Sequence, residues 1–236
     1  PTLLTAILIA PENLSTALII VFTGVFVMFV GRVSLKHIAL LAGSGILILS
    51  LFLTLLFVMP ESALKGRTLT WKHRVESFSN PTGNADEEYQ VLQSKIAIAK
   101  GGIVNLNAGG SDQKNFLPHP YSDFIYSIII EEYGLLGGGV IVLLYLFFLY
   151  RCVRIVLKAP KAFGAFLAAG LGIALVIQAM INMAVVVNLV PVTGVTLPLV
   201  SMGGSSAIFT SIAFGIILSV SRNVELQSGE ENLEMA

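Results

Sequence analysis

The sequence predicts an all-α, polytopic transmembrane helical bundle with a large extracytoplasmic loop and a re-entrant Pro/Gly-rich segment, and three observations carry that expectation. Hydrophobic residues make up 55% of the 236 positions and charged residues only 12%, with a mean hydropathy of +0.85, too little polar surface to cover a water-soluble globule. Several windows reach the roughly 20 predominantly apolar residues that a helix needs to cross a bilayer core. The polar residues, finally, gather in one interval, 60–122, between apolar runs.

Taken in order, Leu14 to Val30 is the first full-length apolar run and His37 to Met59 the second, joined by a turn carrying Gly31, Arg32 and Lys36. From Pro60 to about Ser122 the chain is polar and mixed in charge, with turn signals at Asn80-Pro81, Gly101-Gly102 and Gly109-Gly110. Phe124 to Tyr150 is apolar but interrupted by Glu131-Glu132, Gly134 and Gly137 to Gly139, which predicts an entry helix joined to a spanning helix. Phe163 to about Val187 spans next. Residues 188–204, rich in proline and glycine, are too irregular for a lipid-facing helix and read as re-entrant. Ser205 to Val220 is the last span, so residues 1–222 form the membrane domain and 223–236 an acidic, disordered cytoplasmic tail. The chain starts at Pro1 on an apolar stretch, without initiator Met or signal-peptide features, as expected of a portion of a longer protein.

The short loops fix an orientation. Arg32 and Lys36, then Arg151, Arg154, Lys158 and Lys161, then Arg222 are basic with no acid among them, which makes those loops cytoplasmic. Residues 60–122 and 188–204 then share the extracytoplasmic side.

Several function classes fall away. Lys plus Arg and Asp plus Glu both number 14, so no net field attracts nucleic acid. The single cysteine, Cys152, excludes an intramolecular disulfide and a CxxC site. His37, His73 and His119 lie far apart, no metal motif occurs, and the cofactor remains unknown, with a divalent cation left open. No P-loop, nucleophile elbow or GxGxxG motif is present.

What remains is the polar outer side. Asp123, Ser127 and Glu131 follow at i, i+4 and i+8 along one side of an entering helix, and charges at membrane depth usually face a cavity or a partner. Asp123 is equally suited to cap the helix beginning near Phe124. In 188–204, broken backbone at membrane depth must be buried in protein or line a cavity. Its amides, with Ser201, Gly203, Gly204 and a helix start at Ser205, suit an anion such as phosphate; tight packing around a re-entrant turn is the alternative. Arg74, Lys95 and Lys114, with Lys72 and Lys100, can pair with pyrophosphate as a cluster, although any one lysine can equally be a solvated surface residue.

Lys114-Asn115-Phe116-Leu117-Pro118, Ser122-Asp123-Phe124-Ile125 and Glu131-Glu132-Tyr133-Gly134, followed by the stretch from Asn182 through Pro191, Gly194, Pro198 and Ser201 to Ser206, resemble the two long signature blocks of the SEDS family in their order. Pro11 to Ala17, Arg74-Val75 and Tyr89-Gln90 extend the resemblance over nearly the whole chain, which matches the C-terminal part of a ten-helix domain. The wording is nearer the family's cell-division branch than its elongation branch.

The resemblance implies a multi-pass protein of the bacterial cytoplasmic membrane that polymerises lipid II into glycan strands at the outer face. The implied partners are a class B penicillin-binding protein and other division-complex membrane proteins. It also implies an essential aspartate in the large loop, between Arg74-Val75 and Tyr89-Gln90. Counting from Arg74 puts Asn84 there, and Asp86 is the nearest aspartate and the candidate base. The family pattern GG-x-x-G-x-G is altered, because Asn105 and Asn107 stand at its later glycines. Two other readings stand beside a polymerase: a non-catalytic division scaffold, suggested by these asparagines, and a lipid II flippase or transporter, for which broken helices are also expected.

Overall fold

The computed structural model describes residues 2–59, 69–72, 85–117 and 120–234, with the backbone alone at 56, 85–88 and 227–234. The elements are α1 (Thr2–Ile9), α2 (Leu14–Val30), α3 (Leu35–Val58), α4 (Ala85–Gly101), a 3₁₀ turn (Gln113–Asn115), α5 (Ile125–Lys158), α6 (Ala162–Val186) and α7 (Gly204–Glu234). Helices α3, α5, α6 and α7 are long and apolar enough to cross a membrane, while α2 is a shorter apolar helix. At about 1.5 Å per residue, the 17 residues of α2 sit at the short end of what spans.

Sequence chemistry accounts for the boundaries. The Asn13 side chain caps α2 by accepting from the Thr16 backbone N–H at 3.1 Å. Between α2 and α3 the chain reverses through Arg32, held at φ 54°. Helix α4 ends where Gly102 takes a left-handed φ of 57°, an exit that favours glycine. Nothing pushes the final helix to stop at Val220. It continues to Glu234, so the expected unstructured tail is helical over residues 223–234.

Helix α6 is the hub, packing against α2, α5 and α7, while α3 lies on α2 and α4 lies along α5. The buried cluster sits at one end of the bundle: Leu117, Phe124, Tyr126, Ile128 and Ile130 meet Ala179, Met183, Val186 and Leu197 there, and Tyr145 reaches it from further along α5. Away from that end, Leu40, Leu47 and Leu51 of α3 and Leu143, Leu144 and Phe147 of α5 are exposed, as helices solvated by lipid require. Trp71, in the helical stretch 69–72, packs on Leu14, Phe52 and Leu53. The 60–122 interval, expected as a loop, therefore contains α4. Its first half is polar, and its second half fully buries only small residues, Ser94, Ala97 and Gly101, which gives no long apolar run.

The entry and spanning parts of α5 join at Gly134, whose φ of 73° and ψ of −177° are open to glycine and almost no other residue. The break frees backbone groups, and residues 102–107 take them up. Leu135 N–H donates to Gly102 O at 2.9 Å and Leu136 N–H to Ile103 O at 3.1 Å, while Glu132 O accepts from Asn107 N–H at 3.0 Å. Glu131 O accepts from Asn105 Nδ2 at 2.7 Å. A Cβ on Gly134 would stand 2.6 Å from Ile103 O, so the approach itself demands glycine.

Candidate functional site at the α4 end of the bundle

The α4 end collects the polar residues. The chain from Val187 to Gly203 is non-helical between α6 and α7, with positive φ at Asn188, Gly194 and Leu199. Three of its carbonyls, which would be orphaned in an apolar bundle, accept from side chains of two helices, α5 and α6. Asn182 Nδ2 donates to Val195 O at 2.7 Å and to Asp123 O at 2.8 Å. Gln178 Nε2 donates to Thr196 O at 3.0 Å, and the Tyr145 hydroxyl donates to Pro198 O. From α4, Ser94 Oγ donates to Val186 O at 2.9 Å. Asn182 Oδ1 and Thr193 Oγ1 are buried without a hydrogen-bond partner among the described residues.

Sequence reasoning missed these clamps. Gln178 and Asn182 stand i, i+4 in an otherwise apolar helix, and amides in that setting signal a buried partner.

The predicted site residues fall into groups. Ser201 is committed within the chain: its hydroxyl accepts from Leu197 N–H at 2.7 Å and donates to Ser122 O at 2.5 Å. With Met202 N–H donating to Tyr121 O at 2.7 Å, this stitches the re-entrant segment to the residues before α5. Asp123 is half-buried, and its carboxylate accepts from Ser122 Oγ at 2.9 Å. The N-cap of α5 is Phe124, with no side-chain cap bond, so the capping role open to Asp123 is not taken. Gly203 precedes α7, and Gly204 and Ser205 begin it, both exposed. A Cβ on Gly204 would meet nothing within 4 Å, so packing does not demand that glycine.

Glu131 is 5% exposed and faces the protein, not a cavity. Its carboxylate accepts from the Ser111 hydroxyl, from Asp112 N–H at 3.3 Å and from Gln113 N–H at 3.4 Å. Ser111 Oγ in turn accepts from Lys114 N–H at 3.2 Å. The Lys114 ammonium donates to Gly109 O at 2.7 Å, and Lys100 pairs with Asp112 at 3.2 Å. Lys95 is exposed on α4. Asp86 is the second residue of α4, its side chain outside the described residues, as are Arg74 and Asn84 altogether. Among the described residues no group of three His, Cys, Asp or Glu side chains is placed to hold a metal ion.

The chain is similar to known proteins. The family model described as "Cell cycle protein", that of FtsW, RodA and SpoVE, matches residues 2–226. Stage V sporulation protein E of Bacillus subtilis (strain 168) is 38% identical over 218 residues, 92% of this chain and 56% of that protein. The probable peptidoglycan glycosyltransferase FtsW of Alkalilimnicola ehrlichii is 37% identical over 230 residues, covering 95% of this chain and 54% of its own. Peptidoglycan glycosyltransferase MrdB of Escherichia coli (strain K12) is 33% identical over 223 residues, 93% and 57% of the two chains. A solved structure described as "Structural coordination of polymerization and crosslinking by a peptidoglycan synthase complex" superposes with a TM-score of 0.69 at 27% identity, covering 94% of this chain and 60% of that one. The chain spans about half the length of the curated relatives it matches. With the family model matched from the second residue to the middle of α7, this membrane protein belongs to the SEDS family, that of FtsW, RodA and SpoVE.

Proposed function

We propose that the protein is a peptidoglycan glycosyltransferase of the bacterial cytoplasmic membrane, polymerising lipid II into glycan strands in cell division, with the α4 end outside and the C-terminus in the cytoplasm. One observation supports this reading above others: two signature blocks some 59 to 79 positions apart meet in direct hydrogen bonds, Ser201 to Ser122 O and Asn182 to Asp123 O. The contact brings the residues before α5, Asp123 among them, against the chain that leads into α7. The names of the curated relatives point the same way.

The reaction needs a base for the acceptor hydroxyl and positive charge for a pyrophosphate leaving group. Asp86, at the start of α4, is the proposed base. Arg74, Lys95 and Lys114 supply charge, and the exposed amides of Gly204 and Ser205 offer N–H donors at a helix start. Asp123 lies beside Gly194 and lines the site. Glu131 and Ser201 contribute by positioning: Glu131 holds the turn that carries Lys114, and Ser201 fixes the re-entrant segment. A class B penicillin-binding protein and other division-complex membrane proteins are the proposed partners, consistent with a structural neighbour that is a synthase complex.

The test is polymerisation by the whole natural chain with its penicillin-binding protein, in vesicles whose outer leaflet already holds lipid II. Glycan should form with no translocation step. Partner binding without glycan favours the scaffold, and lipid movement without glycan favours a transporter.

A further inference from the structure

The segment that repairs the break in α5 has a second property. Ile103, Val104 and Leu106 are 72%, 60% and 88% exposed, three large apolar side chains on one short loop, turned away from the protein. A solvated loop has no reason to present them. Their level in the bundle is set by α5. A hydrocarbon core about 30 Å thick spans roughly 20 helical residues at about 1.5 Å each, and the continuous helix from Arg151, at the basic end of α5, back to Leu135 covers about 24 Å of it before the break at Gly134. Asn105 and Asn107 bond to the carbonyls of Glu131 and Glu132. The loop therefore lies at the edge of the hydrocarbon layer.

We infer that residues 103–106 dip into the membrane as an interfacial anchor, with lipid chains of the leaflet on the α4 side as their partner. Three further observations argue for lipid as the occupant. Lipid cannot satisfy backbone groups, and at the two ends of the segment Gly102 O, Ile103 O and Asn107 N–H are bonded to α5, with the Asn105 side-chain amide on Glu131 O; among the described residues the main chain of Val104 to Leu106 bonds to no other main chain, which keeps the dip at interfacial depth, within reach of water. The loop's apolar surface also continues onto Leu135 and Leu136, exposed at the start of the spanning part of α5, and from there to Leu143 and Leu144. The charges flank the anchor without entering it: Lys100 and Asp112 pair with each other at 3.2 Å, both exposed, where an interface keeps its charged groups in water. The anchor would hold the turn of Ser111 to Lys114 at headgroup height.

The test does not depend on any enzymatic activity. Nitroxide spin labels are placed singly at positions 106 and 103 of the whole natural chain, in an otherwise cysteine-free background. The labelled protein is reconstituted into phosphatidylethanolamine–phosphatidylglycerol vesicles. Collision with oxygen, which concentrates in lipid, is compared with collision with a water-soluble nickel chelate. Labels at position 143 give the lipid reference and at position 112 the aqueous one. Oxygen collisions should dominate at 106 and 103, as at 143. Dominant nickel collisions, as at 112, would overturn the anchor, and so would protection from both reagents, which would mean that protein covers the loop. Because the Leu106 side chain is almost fully exposed, a label there disturbs no packing; the 103 label repeats the measurement should the first variant fail to reconstitute.

Discussion

Two interruptions of the helical backbone lie at the same end of this bundle, and they are repaired in opposite ways. At Gly134 a single residue leaves helical geometry and another stretch of main chain, 102–107, supplies most of the missing partners. Between α6 and α7 some 17 residues leave it, and side chains do the repair: Asn182, Gln178 and Tyr145. The first repair depends on close approach and hence on a missing Cβ. The second depends on amide and hydroxyl groups aimed inward from helices. A main-chain repair tolerates almost any side chain on the repairing segment, which leaves Ile103, Val104 and Leu106 available for another purpose. A side-chain repair ties up the residues that make it.

Substitutions separate the two repairs. Asn182→Leu removes both amide donations and leaves Val195 O and Asp123 O unpaired, at about 1–3 kcal/mol for each buried group. Thermal unfolding of the purified protein should show the largest loss of the series. Gly134→Ala should cost about 1–3 kcal/mol for the forbidden conformation alone, with the clash against Ile103 O added. If its melting temperature matches that of the natural protein, the backbone repair is not what holds the loop. Tyr145→Phe and Asn105→Ala each remove one hydrogen bond and should cost about 1 kcal/mol, with Tyr145→Phe the larger because its bond is buried and that of Asn105 only partly so. Gly204→Leu, where a Cβ meets open space, should leave melting and membrane insertion unchanged while reducing glycan synthesis. Reduced yield with normal specific activity would assign that glycine to folding instead.

The contrast also explains what could be read in advance. The spans of α3, α5 and α6 follow from composition, since lipid-solvated helices must be apolar over their full length. The re-entrant segment was legible because two prolines and several glycines cannot continue a helix. The position of the α5 break was only half legible: Gly134 and Gly137 to Gly139 all qualify, and the choice of Gly134 is made by a loop some 30 positions earlier. Helix α4 was hidden because its burial runs through Ser94 and Ala97, residues too small to raise hydropathy. Within the candidate site, sequence order does not tell which polar groups are already committed. The oxygens of Glu131 and Ser201 are spent on the turn at Ser111 and on the chain before α5. Sequence spacing shows that a polar group is present at depth, but only packing shows whether its hydrogen-bonding capacity is already used.

The proposed function puts chemistry on lipid II at the α4 end, with a carboxylate near the start of α4 as base. The most direct measurement is the rate of glycan polymerisation by Asp86→Asn in the whole natural chain with its penicillin-binding protein, beside Asn84→Asp as the reciprocal change. A general base contributes about 10²- to 10⁴-fold, so Asp86→Asn should lose at least that lower factor while inserting and binding its partner normally. Polymerisation at the natural rate by Asp86→Asn would contradict the assignment, and a gain by Asn84→Asp would move the base position to residue 84.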